Sequence, residues 1–175
     1  MQTFKNLVLL MLFCFSLSYC SHYSNPHNIP PVGIDVVGPY DQKLSVDLIN
    51  NQDDKRQYLY WSMGIHRYYA NYNEWTQFFI DRYTDELKKR GVTVSKDSPN
   101  KIKIKLSDFA LMQGMFVIRV NAKFKFEKTD ENWVKEWVDT DTSGWSGGHA
   151  FGSVLYSVIK KVLTDPEIIG KMKVK

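Results

Sequence analysis

Cysteine is almost absent from this chain: only Cys14 and Cys20 occur among its 175 residues. Beyond residue 20 no disulfide can staple the protein, so an exported form must be held by packing. Thiol catalysis and cysteine-based zinc clusters are excluded from the same region. Histidine is scarce as well, with His22, His27, His66 and His149, and none shows a spacing such as H-E-x-x-H. No metal site is expected, and no glycine loop for phosphate appears, so no cofactor is expected either. Charge is nearly balanced, at +4, which is too mild to imply nucleic acid. Long apolar runs are missing apart from one, Leu7 to Leu17. Its length is below the roughly 20 apolar residues that span a bilayer.

That run gives the chain its address. Met1 to Asn6 carries one positive charge, Lys5, and the apolar segment follows. This is the layout of a secretory signal. It ends Leu17-Ser18-Tyr19-Cys20, which resembles the lipobox of bacterial lipoproteins. The resemblance implies cleavage between Tyr19 and Cys20 and a lipid on the Cys20 thiol. Tyr19 departs from the small residue expected there. Ser16 and Ser18 also offer an ordinary cleavage site after Ser18. Residues 1–19 are therefore read as the signal. Removing them takes Lys5, one of 23 basic residues, and leaves 156 residues with a charge of +3. That length suffices for one domain with a core of its own.

Residues 20–31 contain Pro26, Pro30 and Pro31 among polar neighbours and read as a lipidated end followed by an extended tether. His22 and His27 lie in it and read as solvated side chains. Residues 32–175 read as a single domain. Val32 to Val37 suggests a first strand, stopped by Gly38-Pro39. A short alternation at Leu44, Val46 and Leu48 precedes a second strand over Tyr58 to Met63. Asn71, with Glu74 three residues on, is a helix start. Trp75, Phe78, Phe79, Tyr83 and Leu87 then share one face, and Gly91 stops the helix. Short strand Val92 to Val94 and a turn at 97–100 come next. Lys101 to Leu106 alternates strictly, and so does Ile118 to Glu127 after a turn at Gln113-Gly114. These two predict a hairpin, with another strand over Trp133 to Thr140. Phe151, Val154, Leu155, Val158, Ile159, Val162 and Leu163 form the broad stripe of a second helix. The expected fold is α+β: a mostly antiparallel sheet of five to six strands with two helices packed on one face.

Two surfaces are candidates for binding. Tyr58, Tyr60, Trp61, Tyr68, Tyr69, Tyr72 and Trp75 form a dense aromatic run. Part of it belongs to the core, and the rest suits a contact surface, because these rings add area at low entropy cost. Lys101, Lys103, Lys105, Lys123 and Lys125 fall on exposed strand faces. Aligned, they make a basic stripe, either a solubilising face or a contact for anionic headgroups or an acidic partner.

Gly144-Trp145-Ser146-Gly147-Gly148 fits G-x-S-x-G between a strand and a helix. A hydrolase of that kind needs an acid and then a histidine beyond the serine. His149 is the sole later histidine, three residues on, and precedes Asp165 and Glu167. The triad roles are unfilled, so no catalytic residue is expected at Ser146. Asp139, Asp141 and His149 are read as a polar strand end.

The order of elements, with Leu111-Met-Gln-Gly, Val117-Ile-Arg-Val-Asn-Ala-Lys-Phe and Ala150-Phe-Gly-Ser-Val-Leu, resembles the YajG-type outer-membrane lipoproteins over roughly residues 73–172. The resemblance implies a non-catalytic domain held by lipid at the outer membrane, on its periplasmic side. Ser21 after the acceptor cysteine agrees with outer-membrane sorting. The expectation is an accessory or binding protein of an envelope assembly or transport system, with an envelope protein as partner. A surface-displayed adhesin is the alternative.

Overall fold

The computed structural model describes residues 19–27, 29–114, 117–143 and 147–174, with backbone alone at 129, 141–143 and 147–149. The chain is α+β, but its strands divide between two sheets. β1 (Cys20–Ser24), β3 (Gln57–Met63) and β4 (His66–Asn71) form a three-stranded sheet in the order β1-β4-β3. β2 (Ser45–Asn50), β5 (Thr93–Val94), β6 (Lys101–Gln113), β7 (Ile118–Lys128) and β8 (Trp133–Ser143) form a five-stranded sheet in the order β5-β2-β6-β7-β8. The helices are α1 (Tyr72–Lys89), α2 (Gly147–Thr164) and the short α3 (Pro166–Lys171).

The antiparallel part is the meander β6-β7-β8. β2, however, runs parallel to both β5 and β6, and β1 runs parallel to β4. The single, mostly antiparallel sheet is thus corrected to two mixed sheets. Parallel pairs need long crossovers. Here the crossover from β2 to β5 runs through β3, β4 and α1.

α1 starts where Asn71 Oδ1 accepts from the amides of Asn73 and Glu74 at 3.0 and 3.3 Å. Asn71 Nδ2 donates back to Glu74 Oε1 at 3.0 Å. The helix ends before Gly91, whose φ of 85° is cheap only for glycine. Trp75, Phe79, Tyr83 and Leu87 are buried on the sheet side, as their spacing predicts. The apolar stripe of α2 is buried too, from Phe151 to Leu163. Both helices meet Ile102, Ile104, Leu106, Phe109, Val120, Ala122, Phe124 and Phe126 of β6 and β7 in one core. Phe79 and Phe124 lie 4.3 Å apart between centroids. Each such ring contributes on the order of 1.5–3 kcal/mol by burial.

The alternation of β6 breaks at Ser107, where a bulge separates the Leu106–Phe124 and Asp108–Lys123 pairs. Ile102, Ile104 and Leu106 point inward before it, and Phe109 and Leu111 after it. One extra residue shifts the inward set from even to odd numbers. That is why the strand continues to Gln113 although its strict alternation ends at Leu106. The Leu106 amide donates to Thr76 Oγ1 of α1 at 3.0 Å.

Two early readings are revised. Val32 to Val37 is a turn, with the amides of Val36 and Val37 both donating to the Gly33 carbonyl at 3.1 Å. Buried Arg90 imposes it, donating to the carbonyls of Val32, Gly33 and Val37 at 3.0–3.2 Å. The tether reading of 20–31 differs as well. Residues 20–24 are paired as β1, and Ile29 is buried in the core.

Tyr83 is buried to 1 % exposure, and its hydroxyl has no hydrogen-bond partner among the described residues. Burial pushes its pKa well above the ordinary value. An unsatisfied buried hydroxyl costs about 1–3 kcal/mol. Tyr83→Phe is therefore expected to leave the urea midpoint unchanged or raise it. A clear fall would show that the hydroxyl has a partner, such as a water.

Candidate binding cleft

β1 and β4 place His22, Ser24, His66 and Tyr68 on one face of the small sheet, because alternate residues share a side. β3 adds Met63 and Trp61 to that face, and a bulge at Tyr60 turns its ring the same way. Opposite stand Leu111 and Gln113 of β6 and Ile118 of β7. Between them lies a cleft of about 370 Å³ lined by His22, Ser24, Tyr60, Trp61, Tyr68 and their neighbours. That is within the range of small-ligand sites, roughly 300–1,000 Å³.

The aromatic wall is ordered by mutual contact. His22 stacks on Tyr68 at 4.5 Å, and Trp61 lies 4.5 Å from the same ring. His22 Nε2 and His66 Nδ1 are 2.9 Å apart, one donating to the other. Tyr60 and Ser24 share a hydroxyl hydrogen bond of 2.5 Å. Burial pushes the Tyr60 pKa up against the opposing effect of that bond, so the phenol stays neutral at ordinary pH. Behind the wall, Tyr60 meets Phe151 edge-on at 5.0 Å. The cleft therefore offers flat apolar faces and a few hydrogen-bond donors and acceptors. It suits an apolar or aromatic group of a partner.

The aromatic run is thus divided by the structure. Tyr60, Trp61 and Tyr68 line the cleft. Tyr69 lies on the opposite face, stacked at 5.7 Å on Tyr23. Tyr58 and Tyr72 stack at 4.7 Å away from it, and the Tyr72 hydroxyl accepts from the Phe109 amide at 3.2 Å. Trp75 is core. His22, Ser24, Leu111, Gln113 and Ile118 were not singled out as site residues. They join the cleft through a parallel pairing and a long hairpin that leave no local pattern.

The lysine stripe is partly neutralised. Lys103 stands opposite Glu127, and Lys105 opposite Lys125. Lys123 pairs with Glu136 at 2.9 Å, and Lys125 contacts Glu127. Among the described residues, Lys101, Lys103 and Lys105 on the central strand β6 form no ion pair. This face reads as solvated and mixed in charge.

Asp139 is held by Lys161 Nζ at 2.7 Å. Ser146 and its two preceding residues lie outside the described residues, as do the side chains of Asp141 and His149. No group of three or more metal-ligating side chains occurs among the described residues. Cys20 is exposed at the head of β1. No described helix is long and apolar enough to cross a membrane.

A two-sheet α+β domain with an aromatic cleft is the class this architecture defines. Its fold is shared with protein XCC0632 from Xanthomonas campestris, a DUF330 protein, at a TM-score of 0.51 and 12 % identity. The match covers 87 % of this chain and 97 % of that one. An uncharacterized protein aligns with 8 % identity and a TM-score of 0.38, over 83 % of this chain and 94 % of its own. No family model matches the sequence, and no curated protein matches it.

Proposed function

We propose that this chain is a lipid-anchored protein of the bacterial envelope that binds an envelope partner and performs no chemistry of its own. The carrying observation is the position of Cys20. It is exposed at the head of β1, three residues after the apolar segment Leu7 to Leu17. A lipid there holds the domain against a bilayer, and two or three acyl chains hold it firmly. The aromatic cleft is the binding site of this reading, and its stacked rings suit the recognition of a flat apolar group. The resemblance in element order to YajG-type lipoproteins supports an accessory role at the outer membrane, on the periplasmic side.

Labelling cells with a palmitate analogue tests the anchor. Wild type is expected to take up label and sediment with membranes, and Cys20→Ser to lose both. Equal labelling of the two would remove the basis of the proposal.

A further inference from the structure

The small sheet brings the N-terminal end of the chain to one particular place. Cys20 pairs with His66, and its amide donates to the Ile65 carbonyl at 3.0 Å. Residue 20 therefore lies beside the β3–β4 turn, Met63-Gly64-Ile65. The described flanks of the β6–β7 hairpin tip, Met112 to Gly114 and Val117 to Ile118, are at the same end, since Gln113 and Ile118 share the cleft with His22 and Met63. This end carries Met63, Ile65, Met112 and Val117, each between 46 % and 55 % exposed. Four large apolar side chains gathered at one pole are more than the scattered exposure of ordinary surfaces.

The two stretches that build this pole carry no acid: none occurs between Gln57 and Asn71 or between Phe109 and Phe126. Arg67 and Arg119 lie within them. Asp141, paired with Val120, is the nearest acid along the neighbouring strand. Apolar tips with arginine and aromatic neighbours are the composition of membrane-interface contacts.

From this we infer that the pole formed by the β3–β4 turn and the flanks of the β6–β7 hairpin tip docks onto the surface of an anionic lipid bilayer, with Met63, Ile65, Met112 and Val117 entering the interface. This rests on the anchoring read at Cys20 and adds to it a fixed orientation. The cleft mouth, flanked by Met63 and Gln113, then opens beside the headgroups, so its occupant is met at the membrane surface. Val138 is also exposed, but among Lys123, Glu136 and Thr140 on the outer face of the large sheet. It stays in water.

The test uses the full chain, processed in cells and reconstituted into vesicles of phosphatidylethanolamine and phosphatidylglycerol. Single cysteines replace Ile65, Val117 or Val138 in a Cys14→Ser background and carry an environment-sensitive fluorophore. Nitroxide-labelled lipids are expected to quench the labels at 65 and 117 about twofold or more beyond the label at 138. Equal quenching at all three sites, in protein that floats with the vesicles, would overturn the docking and leave the anchor standing. Protein that stays off the vesicles overturns both. Shielding of the labels at 65 and 117 that is equal without vesicles would assign the pole to a second copy of the chain and also overturn the docking.

Discussion

Arg90→Met is expected to destabilise the protein by about 3–5 kcal/mol, because it takes the buried partner from a buried carboxylate, leaves that carboxylate only the half-exposed Lys89, and releases a turn. The Arg90 side chain is fully buried. It donates from Nη1 to Glu86 Oε2 at 2.7 Å and to the Glu86 carbonyl at 2.9 Å. Its remaining donors hold Val32, Gly33 and Val37 at the rim of the core. Arg90→Lys should recover only part of the loss, since one ammonium cannot span carbonyls on two sides as the planar fork does. The double variant Glu86→Gln with Arg90→Met should cost less than the two single changes added together.

The same pair sets an acid dependence. Burial raises the Glu86 pKa, but hydrogen bonds from Lys89 and Arg90 outweigh it and leave the value below the ordinary one. A lowered folded pKa stabilises the protein above the unfolded value, about 4.3. That contribution is lost as pH falls through the folded value. The stability gap between wild type and Arg90→Met should therefore narrow below about pH 4. Urea titrations at pH 7 and pH 3 would show it, and a gap independent of pH would remove Glu86 from the explanation.

Trp75→Ala is the second large effect, at about 3–5 kcal/mol for truncating a buried aromatic ring. Trp75 joins the two halves of the structure. Its ring meets Phe109 edge-on at 5.4 Å and Phe151 at 5.5 Å. Its Nε1 donates to the Ser24 carbonyl at the end of β1, at 3.0 Å. Trp75→Phe keeps most of the packing and loses the bond, at a cost on the order of 1 kcal/mol. Hydrogen exchange separates the two roles. The β1 amides should exchange faster in both variants, whereas the β7 amides should change mainly in Trp75→Ala. Unchanged β1 protection in Trp75→Phe would show that β1 is held by its pairing with β4 alone.

Local pattern was enough for much of the large sheet and both long helices. Asn71 and Glu74 announce α1, the even-numbered residues of Ile102 to Leu106 announce β6, and Phe151 to Leu163 announces α2. Each signal lies within a few residues of the structure it specifies, where periodicity and capping act. The cleft was half legible. Tyr60, Trp61 and Tyr68 stand out as aromatic, but nothing local separates them from Tyr58, Tyr69 and Tyr72. The bulge at Tyr60 and the register of β3 with β4 decide which rings face the cleft and which face away.

By itself, then, the sequence determined the class of fold, the faces of its main elements and the apolar run that leads to Cys20, because each depends on neighbours along the chain. The tertiary structure decided the rest. Arg90 turned an apparent strand at Val32 to Val37 into a clamped turn. The Ser107 bulge moved the inward set of β6, and the parallel pairing of β1 with β4 lifted His22 out of an apparent tether into a cleft wall. These outcomes depend on partners 16 to 58 residues away, and a contact across that distance has no period for a sequence to display.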